Sequence, residues 1–249
     1  MKHFHDNTTK GRASPESSAE HCAKCVWIGE CPFPELITAA ETGGAPTAVI
    51  KHYRAKQVVV EQGEPVTWLC VVCEGIVAVN FLDETGKEGA VHLTGPTGML
   101  VPTDFFLGRL VHVMSAVTLS KVTVAFIKPQ SLWERIERDQ VFAGRLLRRL
   151  AEQMGVLEQR YARLQTQNAR TRSIQIILEM VRLLGQENLQ RVALPIGLTR
   201  SVMAQLIGNT PETVSRVMTQ LKRDGLLKIS DSHLIIPNLQ ALRNALRTK

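Results

Sequence analysis

Apolar residues at alternating spacings of four and three run through the middle of this 249-residue chain. The series begins at Ala143 and ends at Asn168, and its central positions are Leu147, Leu150, Met154, Leu157, Tyr161 and Leu164. Such a narrow stripe, flanked by Arg, Glu and Gln, is typical of a coiled-coil seam. It predicts one long helix over 131–168 that pairs with a second copy of itself, with Asn168 fixing the register. A long helix packed on its own domain is the alternative.

The chain before this helix has a different period. Residues from about 49 to 127 form short β-rich runs separated by turns, such as KQVVVEQGEP and TWLCVVCEG. In DETGKEG, Gly86 stands where a hairpin turn needs positive φ. Many short strands without helices between them predict a sandwich or barrel. The polar, Ser-rich residues 1–20 are expected to be disordered.

The chain after the helix predicts a winged helix-turn-helix. Thr199 caps a first helix that Gly208 ends, and Thr210 caps a second helix with Pro211 at its first position. The segment LLKISDSHLIIPN reads as a small hairpin. Two short helices with a tight turn, followed by a hairpin, make this motif.

The second helix of such a motif enters the DNA major groove with its N-terminal residues facing base edges. Here the polar residues of that region are Glu212, Ser215 and Arg216. Arg216 has the chemistry for guanine and Glu212 for cytosine. Contacts to phosphates are predicted for Thr199, Lys222 and Arg223. A solvated helix face is the alternative for any one of these residues.

The charge distribution agrees with DNA binding. Residues 170–249 hold 12 Lys and Arg against 5 Asp and Glu, a balance of +7, whereas residues 1–169 hold 18 of each. All the excess positive charge therefore lies in the C-terminal third, where a polyanion partner is expected. No apolar run is long enough for a signal or a membrane span, so we expect a cytoplasmic protein without membrane contact.

Three cysteines stand close together near the N-terminus, in HCAKCVWIGECPF. Cys22, Cys25 and Cys31 have the spacing C-x2-C-x5-C, and the chain has five cysteines in all. An odd number of thiols in a reducing compartment indicates metal or redox chemistry rather than disulfides. Four thiolates form the usual ligand set of an iron–sulfur cluster, and sets of four cysteines also bind zinc.

The order of these parts resembles the Crp/FNR family of bacterial transcription regulators. The resemblance implies an α+β chain with a β-roll like that of cyclic-nucleotide-binding domains, a long dimerisation helix and a winged helix. Its expected segments are a disordered 1–20, a cysteine loop over 21–34, a β-roll over 35–130, the dimerisation helix over 131–168 and the DNA-binding domain over 169–249. E-T-V-S-R at 212–216 resembles the recognition signature of the FNR branch and implies palindromic sites with TTGAT-like half-sites.

The cyclic-nucleotide ligands of this family are missing. Relatives that bind such nucleotides have a Glu for the ribose, and an Arg for the phosphate before Ser/Thr-Ala. This chain has Met99 within Gly98-Met99-Leu100, and Met114 before Ser115-Ala116. Arg109 is nearby but displaced, so no cyclic nucleotide is expected.

The cysteine spacing resembles the cluster loop of FNR, which holds an oxygen-labile [4Fe–4S] cluster with a fourth cysteine on a late strand. By alignment that position is Ala125, which cannot be a ligand. Cys70 and Cys73 lie on the neighbouring strand, only about 4.8 Å away, and their spacing places them on opposite faces. We predict Cys73 as the fourth ligand because it faces outward, with Cys70 as the alternative.

The sequence therefore predicts a homodimeric DNA-binding transcription regulator, not an enzyme, that senses oxygen, redox state or nitric oxide through a [4Fe–4S] cluster. Double-stranded DNA and RNA polymerase are the expected partners. FNR has an acidic residue in its dimer seam where this chain has Leu157, so we expect the dimer to persist without the cluster. The alternatives are a zinc- or small-ligand-dependent regulator and an iron–sulfur electron-transfer protein.

Overall fold

A computed structural model describes residues 12–13, 18–39, 47–195, 198–230 and 233–246 of the chain. The chain divides into two compact units. One contains residues 1–79 and 94–150, and the other contains residues 80–93 and 151–249.

The first nine strands form two sheets. In chain order they are β1 (Arg12–Ala13), β2 (Ala48–Tyr53), β3 (Val58–Val60), β4 (Leu69–Glu74), β5 (Val77–Leu82), β6 (Glu88–Thr94), β7 (Met99–Leu100), β8 (Ser115–Thr118) and β9 (Val122–Ile127). One sheet has the order β1-β2-β9-β4-β7 and the other has the order β3-β8-β5-β6. Gly86, in the β5–β6 turn, has φ 81° as its hairpin position requires. The predicted β-roll is confirmed.

The five-stranded sheet separates two hydrophobic cores because alternate side chains of a strand point to opposite faces. The inner core joins residues of both sheets and includes Cys70 and Val72 of β4. The outer core includes Val71 of β4 and Ala125 and Ile127 of β9. One strand therefore supplies both cores, so the identity of each β4 residue determines which core it enters.

Five helices accompany the first unit. They are α1 (Ser18–Ala23), α2 (Pro34–Thr38), α3 (Pro102–Phe106), α4 (Pro129–Arg138) and the first part of α5 (Gln140–Thr166). Each of the five contributes a buried residue to the outer core. These residues include Cys22, Leu36, Phe105, Leu132 and Phe142, and Phe106 of α3 packs against them partly buried. The outer face of the sheet is therefore covered, and the cysteine loop lies within this cover.

The predicted helix over 131–168 is wrong in its boundaries. It is two helices, α4 and α5, because Asp139 between them is extended, with φ −130° and ψ 95°. The Asp139 carboxylate accepts hydrogen bonds from the backbone N–H groups of Val141 and Phe142, both at 3.0 Å, and so caps α5. Asn168 is not a seam residue either, since its side chain caps the next helix by accepting from Thr171 N–H at 2.9 Å.

The second unit has the predicted winged helix. The elements of the winged helix are α6 (Ala169–Leu183), β10 (Val192–Pro195), α7 (Arg200–Ile207), α8 (Pro211–Arg223), β11 (Lys228–Ser230), β12 (His233–Ile236) and α9 (Leu239–Asn244). The expected hairpin is β11 and β12, and β10 adds a third, unpredicted strand on the other side of β12. Val192 and Leu194 alternate inward, with 1% and 0% of their surfaces exposed.

The N-terminal segment differs from expectation where it is described. Arg12 and Ala13 pair with His52 and Lys51 as a short strand, and α1 begins at Ser18, although 1–20 were expected to be disordered. The rest of that segment lies outside the described residues. None of the helices in the described ranges combines the length and apolar character that a membrane span requires.

Candidate functional site

Four of the five cysteines line one small cavity in the first unit. Cys22 comes from α1, Cys25 and Cys31 from the turns that follow it, and Cys73 from the end of β4. The cavity encloses about 20 Å³, and its other walls are His21, Trp27, Ile28, Pro34, Ile37, Val72 and Thr97. The fold therefore brings Cys73 to the same place as the three loop cysteines, although it follows Cys31 by 42 residues in the sequence.

Cys73 reaches this cavity through an irregularity in its strand. Val72 of β4 pairs with Val124 of β9, but Glu74 pairs with the very next residue, Thr123, so Cys73 is an extra residue of the kind that makes a β-bulge. Its thiol packs on the outer core, donates a hydrogen bond to the Val71 backbone oxygen at 3.9 Å and lies close to the backbone of Ala125. The residue that aligns with the family's fourth cysteine is thus the immediate neighbour of Cys73.

Cys70 lies on the other face of the strand. It is 4% exposed and belongs to the inner core, where burial raises the pKa of its thiol to about 12. The predicted orientations, Cys70 inward and Cys73 outward, agree with the structure. In this arrangement Cys70 is separated from the cysteine loop by the sheet itself.

The cavity is an unfavourable place for uncompensated negative charge. Burial raises the pKa of Cys73 far above its ordinary value, and the neighbouring thiols of Cys31, Cys22 and Cys25 raise it further. Burial and the thiols of Cys22 and Cys25 raise the pKa of Cys31 to about 11, although the Phe33 N–H and the charge of Arg149 oppose the shift. A cation would therefore change these thiols to thiolates, as a bound metal does.

The four cysteines supply the donor type that iron–sulfur clusters use, but they are not gathered as a preformed single-ion site. Within the described ranges, no group of three or more His, Cys, Asp or Glu side chains is arranged to hold a metal ion. The loop would have to move outward to admit a four-iron cluster, because the cavity encloses only about 20 Å³. The hydrogen bonds of the loop are local, for example Ile28 N–H to Cys25 O and Cys31 N–H to Trp27 O.

One contact connects the cysteine loop to α5, and a second connects the neighbouring cavity wall to α5. Phe33, which is 0% exposed, packs edge-on against Phe142 with ring centroids 6.3 Å apart. Arg149 donates to the backbone oxygens of Thr97 at 3.1 Å and Pro96 at 3.3 Å, beside the cavity wall. The Arg149 guanidinium thus lies near the thiols, and Arg149 itself belongs to the helix that carries the predicted seam.

The helix-turn-helix is held by the residues that predicted it. The Thr199 hydroxyl accepts from Val202 N–H, and the Thr210 hydroxyl accepts from Thr213 N–H. Gly208 ends α7 with φ 60°, a left-handed conformation that L side chains avoid. Buried faces of the two helices, which include Met203, Leu206, Ile207, Val214, Val217 and Leu221, pack the motif together.

The N-terminal part of α8 presents its predicted base-reading groups to solvent. Glu212 and Arg216 are exposed and Ser215 is half-buried. Hydrogen bonds from its own backbone N–H and the Thr210 hydroxyl, together with the charge of Arg216, lower the pKa of Glu212. Arg216 Nη2 donates to Thr213 Oγ1 at 3.3 Å. These local bonds hold both side chains at the end of the helix that would enter a groove.

The predicted phosphate-contacting residues lie elsewhere. Lys222 and Arg223 are exposed in the last turn of α8, about three turns from Glu212, and there they complement the helix dipole. Thr199 is exposed at the start of α7, where its hydroxyl oxygen is already used as a cap. The structure therefore brings Glu212, Ser215 and Arg216 together and leaves the other three at the edges of the motif.

The predicted dimer seam is exposed over most of its length. Leu147, Met154 and Tyr161 have 67%, 59% and 67% of their surfaces exposed, and Leu157 and Leu164 each have 37%. Leu150 differs because it is partly buried against the outer core. A row of large apolar side chains in water, on one stripe of α5, is a surface that association would cover.

Two domain families match the chain. The cyclic nucleotide-binding domain matches residues 50–139 and the Crp-like helix-turn-helix domain matches residues 171–245. The chain belongs to the Crp/FNR family of transcription regulators. It is 25% identical over 227 residues to the transcriptional activator protein FnrL of Cereibacter sphaeroides, covering 86% of this chain and 89% of the relative.

A second relative and a solved structure are also similar to this chain. The anaerobic regulatory protein of Pasteurella multocida is 22% identical over 241 residues, covering 96% of this chain and 87% of its own. The solved structure of FixK2 from Bradyrhizobium japonicum has a TM-score of 0.66 and 24% identity, and covers 79% of this chain and 96% of that one. The structural likeness shows the Crp/FNR fold, and FnrL supports the FNR branch.

The β-roll of this Crp/FNR protein lacks the expected groups for a cyclic nucleotide. Met99 is 0% exposed in the outer core, and Met114 packs against the inner core. Arg109 is bonded to the buried Asp104, with Nη1 2.8 Å from Oδ1, so its charge is already paired. The absence of cyclic-nucleotide binding stays a prediction.

Sequence reasoning missed Thr97 and Arg149 at the thiol cavity and the buried Arg160 in the second unit. Thr97 and Arg149 are distant in sequence from the cysteines, and no spacing links them to the motif. Thr97 has one local signal in the structure, a φ of 64° that is unusual for a residue other than glycine. Nothing comparable in the sequence marks Arg149.

Proposed function

We propose that this protein is a homodimeric Crp/FNR-type regulator whose DNA affinity is controlled by a [4Fe–4S] cluster held by Cys22, Cys25, Cys31 and Cys73. The observation that carries the proposal is the cavity that these four cysteines line together. Thiolates are the ligands that such clusters use. Bound there, the cluster would supply a group that oxygen or nitric oxide damages.

The protein's own residues provide a route from the cavity to the DNA-binding unit. With the loop drawn to a bound group, Phe33 keeps its place against Phe142, and Arg149 offsets negative charge at the thiolates. If that group were lost, the loop would relax, and the Phe33 contact with Phe142 and the Arg149 bonds to Thr97 and Pro96 would change. The signal would reach the helix-turn-helix through a change in the orientation of α5.

Recognition of DNA would use α8 in the major groove. Glu212, Ser215 and Arg216 would read bases of TTGAT-like half-sites, and Lys222, Arg223 and Thr199 would contact phosphates. The support is the exposure of all of these side chains except the half-buried Ser215, and the excess of positive charge in residues 170–249. RNA polymerase is the proposed partner at the promoter, and the cytoplasm is the proposed location.

The first experiment is purification without oxygen, followed by an absorption spectrum and assays of iron and sulfide. We expect broad absorption near about 400 nm and about four iron and four sulfide per chain, which bleach in air. A colourless protein with one zinc per chain would instead establish a structural or thiol-redox site. That result would contradict the cluster and leave the DNA-binding function intact.

An electron-transfer protein is the candidate from another class. It would use the same cluster but would have no need of a specific DNA site. Binding of a TTGAT palindrome at least about tenfold tighter than binding of random DNA, at the same salt concentration, would exclude it.

The dimer is expected to persist without the cluster. Leu157 contributes an apolar side chain to the seam, so no charge repulsion opposes pairing when the thiols are released. Sedimentation of the cluster-free protein at micromolar concentration should show dimers, whereas Leu157→Glu should give monomers, since it buries unpaired charges at the interface. Ala162→Glu, on an exposed face of α5 beside the seam, is the matched control and should remain dimeric. Monomers of the unsubstituted apo protein would contradict this prediction.

Arg149 is expected to slow loss of the cluster. Arg149→Gln removes the positive charge beside Cys31 and weakens the bonds to Thr97 and Pro96. A half-exposed charge interaction of this kind is worth a few tenths of a kcal/mol to about 1 kcal/mol, so bleaching in air should be about two- to fivefold faster. Arg148→Gln, exposed on the same helix, should bleach at the unsubstituted rate. Equal rates for both variants would remove Arg149 from the site.

A further inference from the structure

The second unit contains an open cavity that the proposed sensing function does not use. Its volume is about 490 Å³, within the range of about 300–1,000 Å³ that small-molecule sites occupy. It is lined by α5, α6 and the C-terminal segment around α9. All of its walls belong to the second unit.

Positive side chains dominate its walls. Four arginines line the cavity, Arg160 and Arg163 from α5, Arg182 from α6 and Arg243 from α9. Planar guanidinium groups are the side chains best suited to bind phosphate or carboxylate oxygens in pairs. Four of them from three helices around one cavity indicate an anion as the occupant.

Arg160 is the most informative of the four because it is buried. Only 9% of its surface is exposed, and its Nη2 donates to the Leu206 backbone oxygen of α7 at 2.7 Å. Its Nη1 is buried and has no hydrogen-bond partner among the residues that the structure describes. A buried guanidinium nitrogen without a partner is costly, and a ligand oxygen in the cavity would satisfy it.

Other polar groups also line the cavity. The Oε1 atom of Gln175 is buried and without a partner in the described part of the chain, but it is an acceptor, so only the amide N–H groups of Gln175 could donate to an anion. Arg163 Nη2 donates to Gln159 Oε1 at 3.2 Å and Arg243 Nη2 donates to the Glu187 backbone oxygen at 3.1 Å, so each is oriented by one bond.

Two carboxylates, Glu179 and Glu187, also line the cavity and would repel an anion. Burial raises the pKa of Glu179, which shifts it toward the neutral acid, although Arg160 opposes that shift. With both glutamates ionised the arginines still outnumber them by two. The balance of charge therefore remains positive in either protonation state.

We propose that this cavity is a binding site for a small free polyanion of the organic phosphate class, with Arg160 and Arg163 as its principal ligands. The ligand would connect α5 to α6 at the junction that precedes the helix-turn-helix. Arg160 also holds the end of α7 through Leu206. This inference does not depend on the cluster or on its ligands.

Titration of the full-length protein with inorganic pyrophosphate tests the proposal, at constant ionic strength and without DNA. We expect saturable binding of one pyrophosphate per chain by calorimetry, with a melting temperature that rises with ligand concentration. Arg160→Gln and Arg163→Gln should each weaken binding about tenfold or more, the worth of one charge-assisted hydrogen bond. Arg191→Gln, exposed in the same unit but outside the cavity, should bind as the unsubstituted protein does.

The outcomes are separable. Absence of saturable binding, or equal weakening by Arg191→Gln and the cavity variants, would overturn the proposal. If Arg160→Gln does not fold, Arg163→Gln tests the proposal. The hydrogen bond described for Arg163 goes to Gln159 on the same helix, and not to the backbone of another element. A DNA phosphate is the other source of the same chemistry. Displacement of pyrophosphate by random duplex DNA, together with weaker random-DNA binding by Arg163→Gln, would assign the cavity to DNA and overturn a free ligand.

Discussion

Cys73→Ala should remove the iron–sulfur absorption of the anaerobically purified protein, and Cys70→Ala should keep it. Cys73 lies in the same cavity as the three loop cysteines, whereas Cys70 lies in the inner core beyond the sheet. Loss of one of four thiolates should reduce iron from about four per chain to near zero after gel filtration. The two substitutions are matched in size and chemistry, so the comparison isolates position.

A third variant sharpens this test. Ala125→Cys in the Cys73→Ala background places a thiol on β9, beside the position that Cys73 vacates. Iron and sulfide should return to about four per chain. Retention of the cluster by Cys73→Ala, with its loss in Cys70→Ala, would reverse the ligand assignment. Loss in neither variant would mean that the fourth ligand is not a β4 cysteine.

Arg216→Ala should weaken binding to a palindromic TTGAT site by about 1–3 kcal/mol, or roughly 5- to 150-fold per contact. Arg216 is exposed near the start of α8, where a guanidinium can donate two bonds to guanine. The loss should concentrate on one base pair of each half-site, which then tolerates substitution. Fluorescence titration of the site and of single-base variants measures both effects.

Lys222→Ala is the comparison for this prediction. Lys222 lies at the far end of α8, and its expected role is contact with phosphates. Its loss should weaken specific and random DNA alike and reduce the slope of log affinity against log salt by about one. If Arg216→Ala also weakened random DNA as strongly as the specific site, its base-reading role would be wrong.

The sequence predicted those features that depend on neighbouring residues. Helix caps at Thr199 and Thr210, the left-handed Gly208 and the β5–β6 turn at Gly86 are local, because a few adjacent side chains determine them. The opposite faces of Cys70 and Cys73 were predicted from the period of a strand, but the bulge at Cys73 was not. The winged helix could thus be derived almost residue by residue.

Features that depend on distant residues were not predictable in the same way. The heptad pattern continues through Asn168, yet the carboxamide of Asn168 caps α6. Earlier in the chain, the Asp139 carboxylate caps α5 and so separates it from α4. Both are short polar side chains that compete for backbone N–H groups, and apolar periodicity does not register that competition. Arg149 and Thr97 reach the thiol cavity only through the fold. The same holds for the four arginines around the second cavity.

The bulge in β4 has an evolutionary consequence. Because the extra residue brings the Cys73 sulfur to the backbone of Ala125, cysteines at the two positions would compete for one place in space. An ancestor with cysteine at both could have lost either one without losing four thiols at the cavity. The ligand could then migrate from one strand to its neighbour through functional intermediates.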